Sequence, residues 1–210
     1  SDYVSWLEVF AKSIHFNRTP LNVANIFKSH LEVRSQAWIF ISATLSIDSD
    51  FTHYIRQLGL DKAKTKNWKS PYDYSKNARL FLPHGLPDPN SPQYTDEVVS
   101  AAIPVIIASK GRAFFLFTSN NAMFKAEEIL RDRLKKLNFS CSILVQGGQP
   151  KSVILKKFSQ ENNALLLGTM SFWEGVDVRG QSLSLVIIDR LPFGRPDDPV
   201  LQARIEKMKK

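Results

Sequence analysis

From Gly168 to Asp177 the chain reads Gly-Thr-Met-Ser-Phe-Trp-Glu-Gly-Val-Asp. Glu174 and Asp177 are three positions apart around Gly175. Carboxylates so placed can orient a metal ion, accept from a ribose hydroxyl, or pair with an arginine across a cleft. Phe172 and Trp173 beside them can stack on a base or wedge against a backbone, although a tryptophan in this place also serves as core packing. Thr169 and Ser171 add small hydroxyls. Two further polar turns, Thr118-Ser119-Asn120 and Gln146-Gly147-Gly148, have the same character. Hydroxyls and free backbone amides at helix starts suit phosphate oxygens. Taken singly, such residues also simply cap helices.

Chemistry of this kind needs elements that bring the three turns together. Ala164 to Leu167, Ala113 to Phe117, Ser140 to Val145 and Leu183 to Ile188 are short apolar runs bounded by turn residues, which predicts buried strands. Helical spacing predicts helices from Tyr94 to Ser109, with Pro104 an awkward position, and from Ala122 to Leu137, where Glu127 and Arg131 are spaced for an ion pair. Pro150 opens another helix, to about Phe158. This alternation predicts an α/β fold with a mainly parallel sheet, helices on both faces, and all three turns along one rim.

The first third is less regular. Trp38 to Ile41 and Ala78 to Leu82 read as strands. Asp50 caps a helix running to Leu58, which Gly59 ends. Residues 61 to 77 are polar and basic, with Lys62, Lys64, Lys66 and Lys69, and are expected to form a loop or exposed flap. The proline-rich stretch from Pro83 to Pro92 reads as a linker or long loop.

The chain has 28 Lys+Arg against 20 Asp+Glu, a formal charge of +8, which favours phosphate-rich partners such as nucleic acid. A single cysteine, Cys141, excludes an internal disulfide and fits a reducing, cytoplasmic setting. No apolar run reaches the roughly 20 residues that a spanning helix needs, so no membrane partner is expected. The four histidines, His15, His30, His53 and His84, are scattered rather than clustered as ligands. Neither Ser152 nor Ser171 has a visible base partner for a triad. The start at Ser1-Asp2 without Met, and the stop inside an expected helix from Pro199 to Lys210, read as the cut ends of a longer protein.

Several stretches together resemble the DinG/YoaA branch of the XPD-like superfamily 2 DNA helicases. Ser42-Ala43-Thr44-Leu45 is similar to helicase motif III, and Gly111 to Asn120 to motif IV. Gly168 to Gly180, with Ser-Phe-Trp-Glu-Gly-Val-Asp, is similar to motif V. Leu191-Pro192-Phe193 with Pro196-Asp197-Asp198-Pro199 resembles the segment that follows it, and Ser70-Pro71-Tyr72-Asp73-Tyr74 the family's Ser-Pro-Phe-Asp stretch.

The resemblance implies RecA-like three-layer domains with ATP and Mg2+ in the cleft between two of them. Residues 1 to 45 would be the tail of the first domain and 46 to 210 the second. Glu174, Gly175 and Asp177 would face the nucleotide, with Ser42 and Thr44 coupling hydrolysis to movement. Thr118, Ser119, Asn120, Thr169, Ser171, Phe172 and Trp173 would lie toward single-stranded DNA. The implied parent is a bacterial, cytoplasmic, nucleoid-associated 5′-to-3′ helicase of DNA repair or replication.

The departures are equally specific. No Gly-x-x-x-x-Gly-Lys-[Ser/Thr] loop occurs, no strand ends in a Walker B acid pair, and Gly194-Arg195-Pro196 is not the arginine-finger motif. An iron–sulfur cluster of the family's kind needs four cysteines, so it could reside only elsewhere in a parent. This chain alone is therefore expected not to hydrolyse ATP. A non-enzymatic nucleic-acid-binding module of RecA-like shape, and a nuclease or other phosphoryl-transfer enzyme using Glu174 and Asp177, are the competing readings.

Overall fold

The computed structural model describes residues 2–33, 36–178, 180–194 and 197–209. Arg195 and Pro196 of the expected Gly-Arg-Pro stretch, and the expected helix end Lys210, lie outside the described residues. The elements in chain order are β1 (Tyr3–Val9), β2 (Ile14–Pro20), α1 (Ala24–Glu32), α2 (Thr52–Leu58), α3 (Tyr74–Asn77), α4 (Tyr94–Ala108), β3 (Ala113–Leu116), α5 (Asn120–Lys136), β4 (Ser142–Val145), α6 (Lys151–Gln160), β5 (Ala164–Gly168), β6 (Leu185–Ile188) and α7 (Pro199–Met208). The chain divides into two compact units, residues 1–79 with 194–210, and residues 80–193.

The unit from Leu80 to Phe193 holds a four-stranded sheet in the order β4-β5-β3-β6, every pair parallel. β3 and β5 are central and buried along their whole length, as their unbroken apolar sequences predict. Alternate side chains feed two cores. Ala113, Phe115 and Phe117 join Leu165 and Leu167 under α4 and α5. Phe114 and Leu116 join Ala164, Leu166 and the α6 residues Ile154 and Phe158 on the other face. Helices thus cover both faces, and the predicted three-layer α/β architecture is present. Pro104 lies on the exposed side of α4, where water can meet the carbonyl that its missing N–H leaves free. Arg133 of α5 grips Asp96 of α4 through two bonds of 2.8 and 2.7 Å, locking the two helices together. The expected Glu127–Arg131 pair forms at 2.9 Å.

The other unit is built from the hairpin β1–β2, the helices α1, α2 and α3, and α7. Asp50 Oδ1 accepts from the Thr52 amide at 2.8 Å, and Gly59 ends α2 in the left-handed region, both as expected. Three expectations fail here and at the unit boundary. Trp38 to Ile41 makes no strand: Ile39 and Ile41 are 80% and 87% exposed, and no neighbouring strand among the described residues supplies the ladder that a strand needs. Ala78 to Leu82 is likewise irregular and exposed. The stretch 61 to 77 is not all loop, because Asp73 opens the short helix α3. The β1–β2 hairpin is an addition, since its mixed polar and apolar residues carry no clean alternation of burial.

Gly111 opens β3 at φ +84°, and a Cβ there would sit 2.8 Å from the Asn163 carbonyl carbon and 3.0 Å from Cys141 Sγ. Burial pushes the Cys141 thiol up to about 11, so this sulfur serves as packing rather than as a nucleophile. Both the strained backbone and the clash with main chain act against a side chain at this position. Gly111→Ala is expected to cost about 2 kcal/mol or more in urea denaturation; a cost under about 0.5 kcal/mol would refute this account of the β3 entry.

Candidate functional site

The strand registers place the turns. Leu116 of β3 lies opposite Gly168 of β5 and Ile188 of β6, and Val145 of β4 lies opposite Leu167. The ladder then continues one step past the strands: Gln146 donates to the Leu167 carbonyl, Phe117 to Gly168 and Asp189 to Leu116, at 2.9 to 3.0 Å. Neighbouring strands sit about 4.8 Å apart. The rim therefore runs in order through Gln146, Thr169, Thr118 and Asp189. The three polar turns found in the sequence do share one edge of a parallel sheet.

Thr118, Ser119 and Asn120 are exposed at the end of β3. Ser119 Oγ accepts from the Ala122 amide at 3.2 Å, so this hydroxyl caps α5. Past β5, Met170 to Phe172 forms a single 3-10 turn, with the Phe172 amide bonded to the Thr169 carbonyl at 2.8 Å. The turn carries Ser171, Glu174, Gly175 and Asp177 on its exposed side. Gly175 has φ +64°, a conformation that favours glycine. Ser42 and Thr44 belong to the other unit, where their hydroxyls lie 3.1 Å apart and the Thr44 amide donates to Ser42 Oγ in a tight local turn.

Phe172 corrects one expectation. It is 2% exposed and sits in the α6-side core, so its ring cannot stack on a base. Gly168 makes this burial possible: a Cβ there would approach the Phe172 ring to 2.8 Å. Trp173 is half-buried against the same core with Val176 and Val178, and its indole N–H has no hydrogen-bond partner among the described residues. Phe172 thus anchors the acidic turn from below.

Gln146, from one of the three polar turns, and Lys151, which the sequence did not single out, tie the acidic turn down. Gln146 Oε1 accepts from both the amide and the hydroxyl of Thr169, at 2.7 and 3.1 Å. Lys151, at the start of α6, donates its ammonium to the carbonyls of Ser171 and Glu174, the latter at 3.1 Å, and lies 5.5 Å from the Phe172 ring centroid. Gln146-Gly147-Gly148 reads as a turn and Pro150 as a helix start, but nothing in their spacing says where the side chains of Gln146 and Lys151 reach.

Asp189 was also missed. It follows β6 directly and is a buried charged residue, its side chain 4% exposed. Arg190 Nε lies 3.9 Å from Asp189 Oδ2, too long for a hydrogen bond, and neither Asp189 Oδ1 nor Arg190 Nε has a hydrogen-bond partner among the described residues. The Arg190 guanidinium instead rests 4.6 Å from the Tyr94 ring centroid, while the Tyr94 hydroxyl donates to the Asp189 carbonyl at 2.6 Å. An acid closing an apolar strand was the available signal.

Burial pushes the Asp189 carboxyl above its ordinary value, against the Arg190 and Thr118 amides and the Arg190 charge, which favour the ionised form. The fold holds this proton more tightly than the unfolded chain does. The corresponding stability is complete below about pH 4 and is lost as pH rises through the elevated value. Asp189→Asn should flatten that slope and leave the chain at least as stable as the wild type at pH 7, measured by urea denaturation at several pH values; an unchanged slope would contradict it. Gly168→Ala should displace Phe172 and loosen the turn, costing about 1–3 kcal/mol and accelerating amide hydrogen exchange across residues 169 to 177. Exchange that stays at the wild-type rate would mean that the ring does not anchor the turn.

Comparison with known proteins fits this geometry. Residues 103–210 match the family described as "Helicase C-terminal domain". Over 204 residues the chain is 42% identical to the ATP-dependent DNA helicase YoaA of Haemophilus influenzae, covering 97% of this chain and 31% of that protein. The ATP-dependent helicase DinG of Mycobacterium tuberculosis is 38% identical over 191 residues, 88% of this chain and 28% of that protein. A relative from Bacillus subtilis, named 3′-5′ exonuclease DinG, is 28% identical over 220 residues, 100% of this chain and 23% of that protein. The chain spans about a third or less of the length of these relatives. With the family matched across half of its residues and the matched stretch carrying the rim, this chain belongs to the helicase C-terminal domain family, in its DinG/YoaA-like branch.

Proposed function

We propose that this chain supplies one wall of an ATP-dependent DNA helicase motor of the DinG/YoaA type. The observation that carries this reading is the rim itself: three polar turns ending in register, with the acidic turn tied down by Gln146, Lys151 and Phe172. A motor needs groups that keep their positions while a nucleotide or a strand comes and goes, and a clasped turn on a rigid sheet meets that need.

In this reading Thr118, Asn120, Thr169 and Ser171 offer hydroxyl, amide and backbone donors to the phosphates of single-stranded DNA. Ser119 contributes through the helix start that it caps. Trp173, half-buried against the α6-side core, supports the turn beside the strand. Glu174, Gly175 and Asp177 face the nucleotide of a cleft completed by a first RecA-like domain of the same protein, with Mg2+ neutralising its phosphates. Ser42 and Thr44 transmit closure of the cleft, and residues 1 to 45 count with that first domain. Alternating closure then shifts one strand-gripping rim relative to the other, moving the protein 5′ to 3′ during repair or replication in the bacterial cytoplasm.

The chain itself lacks a Gly-x-x-x-x-Gly-Lys phosphate loop. It is therefore expected to bind single-stranded oligonucleotides with an affinity that falls steeply with salt, and to show no ATPase. In the complete protein, Glu174→Gln is expected to lower DNA-stimulated ATP turnover about tenfold or more while leaving DNA affinity within about twofold. ATP hydrolysis by the chain alone, or metal-dependent cutting of DNA without ATP, would overturn this reading.

A further inference from the structure

Lys151 stands where its own helix does not favour it. It is the first residue of α6, and the first turn carries no acid to balance its charge. The free amides at a helix start make that end positive, so a cation there is locally unfavourable. A residue that breaks a local rule answers a demand from elsewhere in the fold. Here the demand comes from the acidic turn. The carbonyls of Ser171 and Glu174 lie where the 3-10 turn runs out, and no main-chain amide among the described residues donates to either. The Lys151 ammonium donates to both, reaching Glu174 at 3.1 Å.

The clamp has a rigid base. Ile154 and Phe158 of α6 are 4% and 0% exposed and share a core with Phe172. Ile154 is three positions from Lys151, so the helix that carries the lysine and the ring beneath the turn belong to one packed body. The lysine grips the backbone of Glu174 and not its carboxylate. Among the described residues no ion pair joins the two, and the Glu174 side chain stays exposed. A lysine placed only to stabilise the turn would gain more from the carboxylate, because a bond between two charges is the stronger one. This contact fixes main-chain geometry and leaves the acid unneutralised.

We propose that Lys151 is a positioning residue for ATP turnover: by drawing the Ser171 and Glu174 carbonyls to one point, it fixes the direction in which the Glu174 side chain leaves the turn. The inference rests on the reading above that Glu174 faces the nucleotide. In this role Lys151 touches neither nucleotide nor DNA. Without the ammonium the two carbonyls lose their shared donor, and Gly175, at φ +64° beside Glu174, lets the chain swing. An acid misplaced by about 1 Å can cost on the order of a hundredfold in rate, while binding shared among many groups barely changes.

The test uses the complete protein. Lys151→Met removes the charge and keeps the stem, Lys151→Arg keeps charge and donors, and Glu174→Gln runs in parallel. Lys151→Met is expected to lower kcat of DNA-stimulated ATP hydrolysis about tenfold, with KM for ATP and affinity for a fluorescein-labelled oligo-dT within about twofold, and Lys151→Arg to recover most of the rate. Because Lys151 acts through Glu174, Lys151→Met/Glu174→Gln should turn over no more than about twofold more slowly than Glu174→Gln alone. Losses that multiply would overturn the proposal, as would a loss that Lys151→Arg does not relieve. Failure of Lys151→Met to fold, seen as a lost helix signal in circular dichroism, would make the lysine a structural requirement and overturn it too. Wild-type kcat in Lys151→Met with reduced turnover in Glu174→Gln would overturn the proposal and leave the reading of the acidic turn intact. Wild-type turnover in Glu174→Gln would overturn both.

Discussion

Two strands buried on both faces, β3 and β5, constrain everything at the candidate site. Their side chains are divided between two separate cores, so neither strand can slip by one residue without moving a phenylalanine or leucine set to the wrong face. Because the register is held in this way, the points at which the strands end are held too. Thr118 and Thr169 become neighbours on the rim although they are far apart in the chain. The same register brings Gln146 beside Thr169 and Asp189 beside the end of β3.

The acidic turn illustrates how such a frame is used. Its backbone carbonyls are satisfied by Lys151, its entry by Gln146, and its underside by Phe172 in the space that Gly168 leaves open. Glu174 and Asp177 remain on the exposed side. Lys151, Gln146 and Phe172 thus hold the main chain of the turn. Asp189 and Arg190 are an exception. A nearly buried carboxylate and a cation stand beside each other without a hydrogen bond between them, which costs stability and marks that corner of the rim as chemically unfinished.

Much of this was legible in the chain. The unbroken apolar runs of β3 and β5 announced buried parallel strands, and the helix starts at Ser119 and Pro150 were marked by their own chemistry. The coincidence of the polar turns on one rim followed from the alternation of strand and helix. Local pattern failed where an element depends on a neighbour. Trp38 to Ile41 has a strand's composition but no partner among the described residues, and the β1–β2 hairpin forms through pairing that its uneven alternation does not advertise.

Residue types and their order therefore determined the fold class and the rim, because burial and turn chemistry act over a few neighbouring positions. Only the tertiary structure decided that Phe172 points into the core, that Lys151 and Gln146 hold the turn, and that Asp189 is buried beside a loosely placed arginine. Those outcomes depend on how side chains from separate strands share space and hydrogen bonds, and such sharing exists only once the sheet has brought them together.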